Sequence, residues 1–229
     1  PKPLGFWFWT YRALPRGPIG PYQGPIRALH RALFWALPKL YGPSRGDVEV
    51  GGNVELAAAQ TVEVYGSADD AERIPAITKP VQEGDRFSLG SLMVEVLLIP
   101  AHTSGHIAYY FPEERTVFTG DTLFAGGCGR LFEGDAGQMM SSLEKLNRLP
   151  ADTHVYCGHE YTVKNLQFAL AVEPKNKAAQ DKIMWAQDQR SASRHTVPSN
   201  IGGELQYNPF MRTSVPAVRA KMGAANDVE

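Results

Sequence analysis

From about residue 50 the apolar positions become periodic, and the period changes along the chain. Val54–Gln60 has the spacing of a short helix after the Gly51-Gly52 turn, and Thr61–Tyr65 alternates as a strand does. Glu83-Gly84-Asp85 and Gly90-Ser91 are turn sequences that bracket a strand at Arg86–Leu89 and lead into an apolar strand at Leu92–Ile99. Ile107–Phe111 and Thr116–Thr119 read as two more strands around the turn Pro112–Arg115. Gly137–Arg148 returns to helical spacing, with Met140, Leu143 and Leu146 on the inner face. Thr153–Cys157 is a short buried strand, and Val163–Val172 and Ala178–Arg190 are helices followed by loops rich in Pro, Ser and Asn. This order predicts a mixed α/β layered domain with a helical C-terminal part.

Upstream the periodicity fails. Prolines at 1, 3, 15, 18, 21, 25, 38 and 43 interrupt most windows, and the best helical stretch is Ile26–Leu37. Residues 1–46 hold no Asp or Glu and three of the four tryptophans. That segment reads as a poorly ordered arm or as a basic, aromatic amphipathic helix. For the chain as a whole, 43% hydrophobic and 21% charged residues suit a packed core, and a net charge of −1 offers nothing to nucleic acid or an anionic membrane. No apolar run has the length of a membrane span and none has the pattern of a cleavable signal. Two cysteines, Cys128 and Cys157, are too few for a disulfide scaffold, which makes a reducing cytoplasm the expected setting.

Three polar clusters each follow a predicted strand: Pro100-Ala101-His102-Thr103-Ser104-Gly105-His106, Gly120-Asp121-Thr122 and Gly158-His159-Glu160-Tyr161. Loops leaving strand ends are where a rigid sheet positions functional groups. Two His and one Asp make a ligand set suited to zinc or iron, and a carboxylate can bridge two cations. Taken singly, a histidine at a strand end also fits a hydrogen-bonded core residue, and Gly-Asp-Thr also fits a turn or helix cap.

The stretches around these clusters carry a resemblance. Leu98-Ile99-Pro100-Ala101-His102-Thr103-Ser104-Gly105-His106 is similar to the His-Thr-x-Gly-His segment of the glyoxalase II family. Phe118-Thr119-Gly120-Asp121-Thr122-Leu123-Phe124, Gly127-Cys128-Gly129-Arg130-Leu131-Phe132-Glu133-Gly134, Val155-Tyr156-Cys157-Gly158-His159-Glu160-Tyr161 and Asn208-Pro209-Phe210-Met211-Arg212 agree as well. The resemblance covers roughly residues 50–215. It implies a metallo-β-lactamase-like αββα sandwich with a helical C-terminal domain, and hydrolysis of S-2-hydroxyacylglutathione thioesters by a metal-activated hydroxide. It also implies two divalent cations, with zinc, iron or manganese all suited to such ligands. Carried over by position, His102 and His159 are expected as metal ligands, Asp121 as the bridging and catalytic carboxylate, and Arg130 and Tyr161 as glutathione contacts. Thr103 and His106 are expected to support the ligands. Phe132 stands where a Tyr is common. His30, His154 and His195 match no site residue, and the two cysteines are expected to pack rather than react.

One departure is plain. The family's leading metal motif, His-x-His-x-Asp-His, precedes a Gly-Gly-Asn. Here Gly51-Gly52-Asn53 follows Ser44-Arg45-Gly46-Asp47-Val48-Glu49, without a histidine. Residues 1–49 are therefore expected to be atypical, either a stretch translated out of the family's frame or part of a chain that has lost catalysis and keeps a glutathione-binding surface. The metallo-β-lactamase-like domain is expected over 50–162 and the substrate-binding helices over 163–229. A persulfide dioxygenase on the same fold is the alternative enzyme. A small-molecule glutathione thioester is the expected partner and a monomer the expected state.

Overall fold

A computed structural model describes residues 53–59 and 63–223. The predicted helix at Ile26–Leu37 and the substitutions at 44–49 lie outside the described residues. The chain falls into two compact units. In the first, which includes 73–79, helix α1 (Asn53–Ala59) is present, the Asn53 side chain reaches the Pro75 carbonyl, and Lys79 pairs with Glu63 at 3.3 Å. Strands β1 (Tyr65–Ser67) and β2 (Lys79–Val81) lie where the chain passes between the units. The sequence places a strand at Thr61–Tyr65, whereas the described strand begins at Tyr65. Its neighbour Val64 gives one carbonyl to both the Thr78 and Lys79 N–H groups, a shared contact outside the strand ladder that side-chain alternation does not report.

The second unit is built on a six-stranded sheet ordered β10-β9-β6-β5-β4-β3. Its strands are β3 (Arg86–Leu89), β4 (Leu92–Leu98), β5 (Ile107–Phe111), β6 (Thr116–Gly120), β9 (His154–Cys157) and β10 (Ser199–Asn200). Between β3 and β4 the two-residue connection Gly90-Ser91 is tight because Gly90 takes φ 61°, a conformation glycine adopts without steric cost. All neighbouring pairs are antiparallel except β6 and β9, which run parallel. A parallel pair requires a crossover, and helix α2 (Ala136–Asn147) supplies it. Asp135 caps that helix in a capping box with Gln138.

Cross-strand register sets one face of the sheet: Leu97 pairs with Ala108, and Tyr110 with Val117, which in turn pairs with Val155. These residues form one core with Met139, Leu143 and Leu146 of α2 and with Ile201. Met139 rather than Met140 is the buried methionine: 139, 143 and 146 stand at i, i+4 and i+7 and centre the buried face, which leaves Met140 at its margin. Two contacts tie α2 to the end of β4 and the loop beyond it: Lys145 Nζ donates to the Leu98 carbonyl at 2.7 Å and Ser142 Oγ to the Pro100 carbonyl at 2.8 Å.

The C-terminal part is helical, with α3 (Thr162–Val172), α4 (Lys177–Ser191), α5 (Ile201–Tyr207) and α6 (Pro216–Met222). Leu166, Ala179, Ile183, Ala186 and Tyr207 make a second core. The sequence leaves α5 as loop because Gly202 and Gly203 weaken its helical signal. A Cβ on Gly202 would meet the Ala151 carbonyl oxygen at 3.0 Å, so close packing is what glycine provides there. Arg212 closes this region by donating from Nε and Nη2 to the two Glu173 carboxylate oxygens, each at 2.9 Å. Among the described residues, no helix is long and apolar enough to cross a membrane.

Two outcomes follow from this packing. Leu146→Ala leaves a void between α2 and the sheet, and chemical denaturation should show a loss of about 2–5 kcal/mol. The Arg212 contact holds the Glu173 carboxyl below its ordinary value of 4.5. The pair's contribution is therefore complete above pH 4.5 and fades as pH falls through the depressed value. Glu173→Gln should flatten that acid limb in denaturation curves taken at stepped pH.

Candidate metal centre

Topology brings the three polar loops together. Strand β4 is antiparallel to β5, β5 is antiparallel to β6, and β6 is parallel to β9. The chain therefore leaves β4, β6 and β9 at the same end of the sheet, where His102, Asp121 and His159 sit. The Gly158 N–H donates to the Gly120 carbonyl at 2.8 Å and pins two of these exits to each other.

The Asp121 carboxylate is the centre of the group. Its Oδ2 lies 3.0 Å from His159 Nε2 and 3.6 Å from His102 Nε2. Its Oδ1 is buried and has no hydrogen-bond partner, although the residue is only 7% exposed. An unpartnered buried carboxylate oxygen is costly, and a cation is the usual remedy. The orientation of His102 points the same way. His102 Nδ1 lies 2.9 Å from the Arg130 carbonyl, which can only accept. In the neutral ring the proton is therefore on Nδ1, and Nε2 turns a lone pair toward a carboxylate lone pair. Metal–nitrogen and metal–oxygen distances of about 2.1 Å put tetrahedral donors roughly 3.4 Å apart. The two separations at Asp121 bracket that spacing. Donor type and spacing thus fit a divalent cation. Donor number does not suffice: among the described residues, no three His, Cys, Asp or Glu side chains are arranged to hold one ion.

Close packing holds these groups. Ala101 has φ 123°, a strained backbone immediately before His102. Gly134 lies against it, so close that an added Cβ would fall 2.5 Å from Ala101 Cα. A Cβ on Gly129 would meet the Asp121 carbonyl oxygen at 1.8 Å, so only glycine fits beneath that loop. His106 Nε2 accepts the Asp121 N–H at 3.2 Å, and its Nδ1 faces Thr103 Oγ1 at 3.5 Å, the limit of hydrogen-bonding reach. Burial, and then the neighbouring His102, hold His106 below the ordinary imidazole value. A neutral ring is what an acceptor Nε2 requires.

The two expected substrate contacts flank the centre. Tyr161 is 44% exposed and stacks on the His159 ring at 4.6 Å, with planes 8° apart. Arg130 is exposed, and its carbonyl orients His102. Phe132 is 61% exposed, with its ring 4.9 Å from the His102 ring. Of the histidines read as ordinary, His154 lies in β9 and His195 is 4.0 Å from Glu160, while His30 is outside the described residues.

Reading the sequence missed Phe124, whose ring meets the edges of both His159 and Tyr161 at 5.8 and 5.4 Å. It sits on a short hairpin, β7 (Leu123–Phe124) and β8 (Gly127–Cys128), in a stretch too rich in glycine to signal strands. Glu160 was missed too. It accepts from the Thr196 N–H at 2.9 Å and tethers the loop after β9 to the segment after α4.

Burial pushes both thiols up to about 12. At pH 8 the thiolate fraction is then on the order of 10⁻⁴. Neither Cys128 nor Cys157 of the folded chain should react with a disulfide reagent on the timescale that labels the unfolded chain, which a two-state thiol assay with and without denaturant would measure.

Residues 19–159 match the metallo-beta-lactamase superfamily, and residues 160–229 match the hydroxyacylglutathione hydrolase C-terminus. A hydroxyacylglutathione hydrolase of Rhodospirillum rubrum is 46% identical over 188 residues, which span 82% of this chain and 73% of that protein. One from Synechococcus sp. is 49% identical over 180 residues, covering 78% and 71%. Among solved structures, a B3 metallo-beta-lactamase, BLEG-1, shares the fold with a TM-score of 0.52 at 19% identity, covering 71% of each chain. ETHE1 from Myxococcus xanthus gives a TM-score of 0.53 at 26% identity, covering 76% of this chain and 63% of that one. The metallo-β-lactamase fold, the separate helical C-terminal region and relatives at this identity together place the chain in the hydroxyacylglutathione hydrolase family.

Proposed function

We propose that the chain hydrolyses S-2-hydroxyacylglutathione thioesters, such as S-D-lactoylglutathione, to glutathione and a 2-hydroxy acid, as a cytoplasmic monomer. The observation that carries this reading is the buried Asp121 carboxylate facing two imidazole nitrogens with one oxygen unpartnered. His102, His159 and Asp121 are the residues that would hold divalent cations, two by this reading and zinc by preference, with Asp121 shared between them. When bound, such ions lower the pKa of water and polarise a thioester carbonyl. The chain's own residues do the rest. The Arg130 carbonyl keeps the His102 proton on Nδ1 and its Nε2 free to ligate. His106, neutral and accepting from the Asp121 backbone, fixes the carboxylate's origin, and Thr103 steadies His106. Tyr161 and Arg130, exposed on either side, bind the glutathione portion, with residues 50–162 forming the metal-bearing domain and the helices of 163–229 the substrate side.

A second reading has a specific observation behind it. Ser44-Arg45-Gly46-Asp47-Val48-Glu49 stands where the family has its histidine-rich motif, so the chain could bind glutathione without turning a thioester over. Zinc content after metal loading, together with the ultraviolet loss of S-D-lactoylglutathione, separates the two. The hydrolase reading expects zinc-dependent loss, and His159→Ala should weaken zinc by more than the roughly 10–100-fold typical of removing an outer-sphere partner. Thioester left intact at high concentrations of zinc-loaded chain would overturn it, and glutathione binding under those conditions would favour the non-catalytic reading.

A further inference from the structure

A carboxylate with no route to water sits away from the three ligand loops. Glu204 of α5 is fully buried, at 0% exposure. Burial of that kind is tolerated only where donors converge on the group. They do: Gly126 N–H reaches Oε2 at 2.8 Å, Asn208 Nδ2 reaches Oε2 at 2.9 Å, and Tyr207 O–H reaches Oε1 at 2.8 Å. Gly126 is in the turn of the β7–β8 hairpin, 78 residues away in the chain.

The whole turn is held in this way. Asn208 Nδ2 also donates to the Gly127 carbonyl at 3.0 Å, and Asn165 of α3 donates to the Ala125 carbonyl at 3.1 Å. Three backbone groups of one buried turn are thus satisfied by side chains of the helical region. The turn itself needs glycine, since Gly126 has φ 75° and a Cβ on Gly127 would meet Asn165 Cγ at 2.7 Å. Backbone pairs alone hold a two-stranded hairpin weakly, so these side chains decide where it lies.

Both arms of the hairpin lead to the candidate centre. On one arm, Phe124 supports the His159 and Tyr161 rings edge-on. The other continues through Cys128 to Gly129, whose N–H meets the Thr122 carbonyl at 3.1 Å, and then to Arg130, whose carbonyl orients His102. A shift of the turn would therefore disturb both histidines together.

We infer that Glu204 is a positioning residue: through the Gly126 N–H it anchors the β7–β8 hairpin, and the hairpin sets the orientation of His102 and His159. The inference rests on the metal reading above only for its second readout. The test uses the full chain, its Glu204→Ala and Glu204→Gln variants, hydrogen exchange of peptides covering 122–130 and, in β4, 92–98, and zinc affinity by competition with a chromophoric chelator. A glutamine keeps an acceptor for Gly126 while the Tyr207 hydroxyl can turn to accept, so Glu204→Gln should stay within about threefold of the parent in both readouts. Glu204→Ala should speed exchange in 122–130 at least tenfold, leave 92–98 unchanged, and weaken zinc binding at least tenfold. Unchanged exchange in 122–130 would overturn the proposal. So would an equal rise in 92–98, which marks a general core defect. Should Glu204→Ala not fold, Asn165→Ala removes a bond from the same turn and is judged by the same local rise. If the parent chain binds no zinc, the metal reading fails on its own, and exchange in 122–130 still decides the role of Glu204.

Discussion

Asp121 sets a buried carboxylate within 3.0 Å of one imidazole nitrogen and 3.6 Å of another, and leaves its second oxygen without a donor. Such a group is stable only when positive charge is brought to it. The surrounding structure supplies everything short of that charge. Backbone groups fix the tautomers of both rings: the Arg130 carbonyl leaves the His102 Nε2 lone pair facing the place where a cation would sit, and the His106 Nε2 lone pair accepts the Asp121 N–H. Those contacts work through backbone atoms, which makes them insensitive to side-chain motion and dependent on the loops being held still.

Loop position is in turn a matter of strand direction. Three exits share one end of the sheet because β6 and β9 are parallel and α2 carries the crossover. The helix is anchored at both levels, to the sheet by Leu143 and Leu146 and to the loop after β4 by Ser142. Glycines at 129 and 134 then let separate backbones approach more closely than any side chain permits. The strain at Ala101 is held by that packing.

The helical C-terminal region contributes more than a surface for substrate. Its polar side chains, the buried Glu204 and Asn208 and the half-buried Asn165, meet the backbone of the β7–β8 turn, while Glu160 accepts from Thr196 in the segment between α4 and α5. Buried polar networks of this kind are specific, because each missing partner leaves a desolvated group behind. They tie helices α3 and α5 to the hairpin that leads to the ligand loops.

Much of this was legible in order along the chain. Apolar runs with buried positions located β4, β5, β6 and β9 to within a residue or two, flanking turn sequences located β3, and helical spacing located α2, α3 and α4. The residue types at 102, 121 and 159, and their motifs, pointed to metal chemistry and to the family, as did the missing histidines at 44–49 to a short ligand set. Other features carry no periodic signal. The β7–β8 hairpin and α5 are glycine-rich and take their shape from distant partners, so local propensity argues against them. Which oxygen of Asp121 is unpartnered, which nitrogen of His102 carries the proton, and that Glu204 reaches Gly126 are set by contacts between segments tens of residues apart. The sequence by itself determined the periodic elements and the donors, because periodicity and side-chain chemistry are local. Only the tertiary structure decided their convergence, because strand direction and buried hydrogen bonds exist only once the chain has folded.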